Sequence, residues 1–180
     1  MNLPKTWKTK AVLAALILTF AIGSKDVEKL GDRFQVALPV IALGCSAVNG
    51  QFGDFLLRYV IQLGVVHGSK HALGDAPVNI RPNGGGLGMP SGHTATAALG
   101  ASNLVHECLA GSPWVQGAVI LTAGFVGGSR IEAGKHDIWQ VLAGALAGWV
   151  IDRGFRKTSP RGALARLFHR VAGWFGRGAT

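Results

Sequence analysis

The side chains able to do chemistry in this chain fall into three polar stations. The first is Asn79-Ile80-Arg81-Pro82-Asn83-Gly84-Gly85-Gly86, a loop by composition, because proline and glycine interrupt helix and strand alike. The second is Pro90-Ser91-Gly92-His93, which runs into Thr94-Ala95-Thr96-Ala97-Ala98 and reads as a helix start with Ser91 at the N-cap. The third is Ser129-Arg130, with His136 following after five intervening residues. Two arginines and two imidazoles suit phosphoryl transfer, which depends on positioning and on neutralising charge over the equatorial oxygens. Arg81 and Arg130 can each grip phosphate through a bidentate fork. The N–H groups of Ser91, Gly92 and His93 at a helix N-terminus make an anion site. One histidine can attack phosphorus while the other protonates the departing alkoxide. No cluster of acids or cysteines is spaced to hold a metal, so the expected chemistry needs neither metal nor cofactor.

The elements that must position these stations are apolar. Of 180 residues, 48% are hydrophobic and only 15% charged, below the roughly 25% of an ordinary soluble domain, and the mean hydropathy is +0.31. Disorder, a coiled coil, a collagen-like chain and a disulfide scaffold are thereby disfavoured. Cys45 and Cys108 both lie in apolar runs, which argues against a redox or zinc framework. An apolar run over 11–23 follows Lys5, Lys8 and Lys10 and reads as a signal peptide or a first helix. Five further apolar segments follow at about 34–48, 55–66, 93–109, 114–128 and 138–151. The sixth segment carries Gly144-Ala145-Leu146-Ala147-Gly148, a small-residue face that lets helices approach closely in lipid. The expected architecture is an all-α, six-helix transmembrane bundle. It divides into a leader or first helix at 1–23, a membrane domain at 24–152, and a basic amphipathic tail at 153–180.

Charge supplies the orientation. The net charge of +9 is concentrated at the two ends, and no acid follows Asp152. A basic tail beside a hydrophobic segment marks the cytoplasmic side. The recurrence of Leu164, Phe168, Val171 and Phe175 among arginines fits a membrane surface rather than nucleic acid. Stepping backwards through the segments from that tail puts all three stations on one face, opposite the basic ends. Trp114, Trp139 and Trp149 read as interfacial anchors. Arg58 reads as a structural partner of Asp54 or a snorkelling cation, and Glu107 as a solvated acid.

Arg81-Pro82, then Pro90-Ser91-Gly92-His93, then Ser129-Arg130 and His136 resemble the three signature blocks of the type 2 phosphatidic acid phosphatase superfamily. The resemblance covers roughly residues 55–150 and points to its integral-membrane branch. It implies that His136 is the nucleophile, forming a phosphohistidine, and that His93 is the general acid. It also implies that Arg81, Arg130, Ser91 and Gly92 hold the phosphate. The implied substrate is a lipid phosphate monoester or pyrophosphate, met at the periplasmic face of a bacterial inner membrane, with the C-terminus cytoplasmic.

Two positions depart from the family's pattern. Its lysine, seven residues before the arginine, is here Gly74, and the nearest lysine is Lys70, one helical turn earlier. Lys70 is the expected phosphate-binding substitute, sharing a face with His67 and His71 if the third helix continues that far. Its aspartate, four residues after the nucleophile, is here Gln140. Gln140 can still accept the His136 N–H and fix its tautomer, but it offers no negative charge to an imidazolium. Asp137 and Glu132 are the nearest acids able to replace that charge, although Asp137 points elsewhere on an ideal helix. A membrane protein that binds phosphorylated lipid without turning it over is the alternative. A vanadate-dependent haloperoxidase would use the same pocket.

Overall fold

The computed structural model describes residues 6–23 and 26–156. The amphipathic-helix reading of the tail beyond residue 156 lies outside them. Six α-helices follow in order: α1 Trp7–Ala21, α2 Val27–Val48, α3 Phe52–Leu73, α4 Gly92–Glu107, α5 Pro113–Glu132 and α6 Ile138–Gly154. A short 3-10 turn at Pro77–Asn79 interrupts the long α3–α4 connection. Among the described residues there is no strand, in line with the expected all-α class.

Several helices outrun their apolar segments, and polar caps explain why. α2 begins at Val27 because the Asp26 carboxylate accepts the N–H groups of Glu28 and Lys29. α3 continues through the polar His67–His71 stretch and stops where Gly74 adopts a φ of +48°, a conformation that favours glycine. The site of the family's lysine is thus a helix terminator in this chain.

α4 is the central element, and its composition makes it so. Ala95, Ala97, Leu99, Gly100, Ala101, Asn103 and Leu104 are all buried. Its neighbours press in because glycines remove the intervening Cβ atoms. A Cβ at Gly148 or Gly144 on α6 would collide with the backbone oxygens of Ala95 or Ser91. One at Gly100 would lie 2.7 Å from the backbone of Leu38 and Pro39 on α2. The small-residue face seen in the sequence is therefore the α4–α6 contact.

The other five helices turn apolar side chains outward. Trp114, Leu121 and Trp139 are 91%, 75% and 71% exposed, whereas α4 contributes no exposed large hydrophobic residue. No helix among the described residues is long and apolar enough to cross a membrane. Length is not what α2 and α3 lack, since 22 residues each reach about 33 Å at 1.5 Å per residue. Their charges dilute them: Glu28, Lys29, Asp32 and Arg33 on α2, and Asp54, Arg58 and Lys70 on α3.

The end of the bundle away from the stations is held by charge and by sulfur. Arg58 donates to Asp152 at 2.7 Å, with both side chains buried, so its partner is Asp152; toward Asp54 it reaches only the backbone oxygen. Ser102 Oγ donates to the same carboxylate at 2.6 Å, and Arg156 joins it. Glu107 is not solvated but sits 3.6 Å from Arg156. The bundle therefore continues past Asp152 into residues assigned to the tail. Cys45 and Cys108, separated by 63 residues, form a disulfide between the ends of α2 and α4, with Cα atoms 6.3 Å apart. This bond departs from the sequence expectation, which placed both cysteines in apolar runs and disfavoured a disulfide scaffold; with 63 residues between them, no local spacing could have revealed it.

Removing Asp152 strands a buried guanidinium. Asp152→Ala is expected to cost about 3–5 kcal/mol, seen as a lowered thermal midpoint in detergent. Combining Arg58→Met with Asp152→Leu should recover much of the loss; an unchanged midpoint for the single variant would refute the account.

Candidate active site

One cavity of about 470 Å³ takes in Lys70, Arg81, Gly92, His93, Arg130 and His136. Residues from all three stations meet there, with α2 and α3 closing the other side. Its charged and imidazole walls comprise three histidines (His67, His93 and His136), four cations (Lys70, Arg81, Arg130 and Lys135) and two carboxylates (Glu28 and Asp32).

The short α5–α6 turn places Arg130 and His136 together. The Lys135 and His136 N–H groups return to the Arg130 oxygen at 2.9 and 3.2 Å, and Asp137 caps α6 by accepting the Gln140 N–H. Asp137 is thereby committed as a cap, and Glu132 is exposed outside the cavity. Neither replaces the missing aspartate.

Gln140 is fully buried. Its Nε2 donates to the Ile80 and Val78 oxygens at 2.8 and 3.1 Å. Two carbonyl acceptors can be met only by the NH₂ end of the amide, so Oε1 is the atom that faces His136 Nδ1 at 2.9 Å. His136 must then carry its proton on Nδ1, which leaves the Nε2 lone pair free. Burial, with Lys70, Arg81 and His93 nearby, pushes the His136 imidazole down to about 4, against the opposing pull of Gln140. The ring is neutral at pH 7, the form a nucleophile needs.

Arg130 is almost wholly buried. Its Nη1 lies 2.9 Å from Asp32 Oδ1 and 3.6 Å from a Glu28 carboxylate oxygen, and its Nη2 donates to the Glu28 backbone oxygen at 2.8 Å. The same Asp32 oxygen is 3.2 Å from His93 Nε2. This one oxygen thus bridges Arg130 and His93. α2 comes this close because Gly31 has no Cβ; one there would collide with Ser129.

Lys70 is buried at the top of α3 and donates to the Leu87 oxygen, to which Arg81 Nη2 also donates at 3.3 Å. Leu87 holds a φ of +58°, an uncommon conformation for a branched side chain, and so turns its carbonyl toward both cations. α3 does continue far enough to carry Lys70 and His67 into the cavity, while His71 remains exposed outside it.

Ser91 behaves differently from Gly92 and His93. It caps α4, accepting from the Thr94 N–H at 3.5 Å and the Thr94 hydroxyl at 3.0 Å. Its own N–H is donated to the Gln140 oxygen at 2.8 Å, and it does not line the cavity. Of the three N–H groups read as an anion site, those of Gly92 and His93 remain unused by the helix ladder.

Sequence reasoning passed over Glu28, Asp32 and Gln62. A signal for the first two existed: a chain with 9 acids places two of them four apart near the start of one helix, on one face.

The PAP2 superfamily pattern matches residues 7–161. The chain is 36% identical to the lipid A 1-phosphatase of Porphyromonas gingivalis over 191 residues, covering 90% of this chain and 42% of that protein. It is 30% identical to the lipid A 4'-phosphatase of Helicobacter pylori over 138 residues, covering 71% of this chain and 68% of that one. The chain thus spans about two fifths of the length of the first relative. No solved structure matches it. The matched span contains every residue of the cavity, and the chain belongs to the PAP2 superfamily, that of the type 2 phosphatidic acid phosphatases.

Proposed function

We propose that the chain is a phosphatase that removes phosphate from a membrane lipid through a phosphohistidine. His136 Nε2 attacks phosphorus and forms an N–P bond as the P–O bond to the lipid breaks. His93 gives its proton to the departing alkoxide. Water then attacks phosphorus, giving its proton to His93, and the N–P bond breaks to release inorganic phosphate and neutral His136. Arg81, Arg130, Lys70 and the N–H groups of Gly92 and His93 offset charge on the equatorial oxygens. Ser91 acts through its cap, holding the first turn of α4. Asp32, 3.2 Å from His93 Nε2, would accept the N–H of the imidazole that serves as proton donor in the first step.

The observation that carries this reading is the tautomer of His136, set by an amide whose own orientation two carbonyls determine. A lipid substrate is supported by a second, apolar groove of about 200 Å³ between α2 and α3, lined by Val36, Val40, Leu43, Phe55 and Leu56. It shares Gln35 and Tyr59 with the phosphate cavity, so a hydrocarbon tail could lie beside α2 while its phosphate stays among the cations. The outward apolar side chains and the basic ends support a chain embedded in the inner membrane, with this cavity toward the periplasm. The names of the two relatives make lipid A the first substrate to test, with phosphatidic acid and a prenyl diphosphate beside it.

Gln140 also favours a second reading, a protein that binds lipid phosphate without turnover, because it supplies no charge to an imidazolium. Incubation with phosphorus-labelled lipid separates the two. Label should appear on the wild-type chain and be absent from His136→Ala; an unlabelled wild type that still binds lipid would support the binder.

Gln140→Met should lower kcat by about 10² to 10⁴, by releasing the tautomer, with KM changing far less. Equal kcat for the variant would remove Gln140 from the mechanism. The His136 ring, followed by nitrogen NMR, should stay neutral as pH falls and titrate near 4. A midpoint near the ordinary 6.5 would show that burial does not control it.

A further inference from the structure

We propose that Gln62 forms a second recognition point of the phosphate cavity, binding a secondary amide or hydroxyl set between the phosphate and the hydrocarbon of the substrate. This rests on the lipid phosphatase reading and deepens it. The inward stripe of α3 runs Arg58, Gln62, Val66, Lys70 at four-residue spacing, and all four are buried. Three have clear tasks. Arg58 pairs with Asp152, Val66 packs near Gly92, and Lys70 reaches the Leu87 carbonyl.

Gln62 is different. It is 0% exposed, lines the cavity shared by His93 and His136, and neither its Nε2 nor its Oε1 has a hydrogen-bond partner among the described residues. Leaving a buried amide unmatched costs free energy at both ends. A leucine would fill the stripe without that cost, so the amide calls for an external partner.

Position narrows the partner. Gln62 lies eight residues below Lys70 on α3, about 12 Å along the axis. Tyr59, one turn deeper, and Gln35 border both this cavity and the apolar groove. Gln62 therefore stands between the cations that take phosphate and the slot that suits hydrocarbon. Lipids carry their linkage groups at that depth. An amide side chain with donor and acceptor both unmet matches a group that gives and takes together, which an amide or a hydroxyl does and an ester does not.

The test uses the full chain in detergent, with His136→Ala as background so that binding is read without turnover. Three probes of matched chain length are compared: ceramide 1-phosphate, with amide and hydroxyl; lysophosphatidic acid, with a hydroxyl and no amide; and phosphatidic acid, with esters alone. The background protein should bind ceramide 1-phosphate about 3- to 10-fold more tightly than phosphatidic acid. Preference for lysophosphatidic acid as well identifies the hydroxyl; preference for ceramide 1-phosphate alone identifies the amide. Adding Gln62→Met should abolish the preference, and Gln62→Asn, which withdraws the amide by one methylene, should reduce it. Equal binding of all three probes, or a preference that survives Gln62→Met, would overturn the proposal. Wild-type protein that binds with this preference yet releases phosphate from no lipid would overturn the phosphatase reading alone.

Discussion

The buried side chain and backbone of Gln140 tie together three stretches of chain that are distant in sequence. Its NH₂ group holds the Ile80 oxygen of the first station and the Val78 oxygen just before it, and its Oε1 takes the His136 proton of the third. Its main-chain oxygen accepts the N–H of Ser91 in the second. Each bond is ordinary, worth about 1 kcal/mol net. Their convergence on one rigid helical turn sets the relative positions of Arg81, His93 and His136. A carboxylate here could still accept from His136, but it would face two carbonyl oxygens with no donor to offer. The local environment of residue 140 is therefore built for an amide, and the loop at 77–80 is where the departure from the family's aspartate is accommodated.

That convergence needs α6 to lie almost on the backbone of α4. Gly144 and Gly148 permit it, the first directly beneath Ser91 and the second against Ala95. The same device recurs where Gly100 meets α2 and where Gly31 meets Ser129. Close packing of this kind is rigid, because neither backbone has rotamers by which to yield. Chemistry that depends on sub-ångström placement of two imidazoles gains directly from such a scaffold.

Much of this was legible in the sequence, and the parts that were not share a cause. Periodic apolar runs, caps and breakers located six helices, and Gly144 with Gly148 announced a close contact. The stations were visible as polar islands at helix ends. What stayed hidden were pairings across the bundle. Arg58 looks equally able to meet Asp54, four residues away, as Asp152, 94 residues away. Cys45 and Cys108 sit in apolar surroundings whether bonded or not. The use of the Ser91 N–H by Gln140 depends on how α6 crosses α4, and no local pattern encodes a crossing. Helix ends at Asp26 and Gly74 were readable in principle as an N-cap and a terminator, but charge diluted the periodicity beside them.

The cavity also has to remain folded with four cations, Lys70, Arg81, Arg130 and Lys135, on its walls. Lys70 and Arg81 share the Leu87 carbonyl, and Arg130 holds Asp32 and Glu28. On the proposed reading, each acceptor gives way to an oxygen of the bound phosphate. Binding therefore exchanges one set of hydrogen bonds for another instead of creating a new set, and affinity comes from the difference in charge. A dianionic phosphate monoester gains on a neutral carbonyl at the Lys70–Arg81 side. At the Arg130 side it must compete with a resident carboxylate, half exposed and free to withdraw. His93 lies 3.2 Å from that same carboxylate, so on the proposed mechanism a shift of Asp32 on phosphate binding would also move the group facing the proton donor.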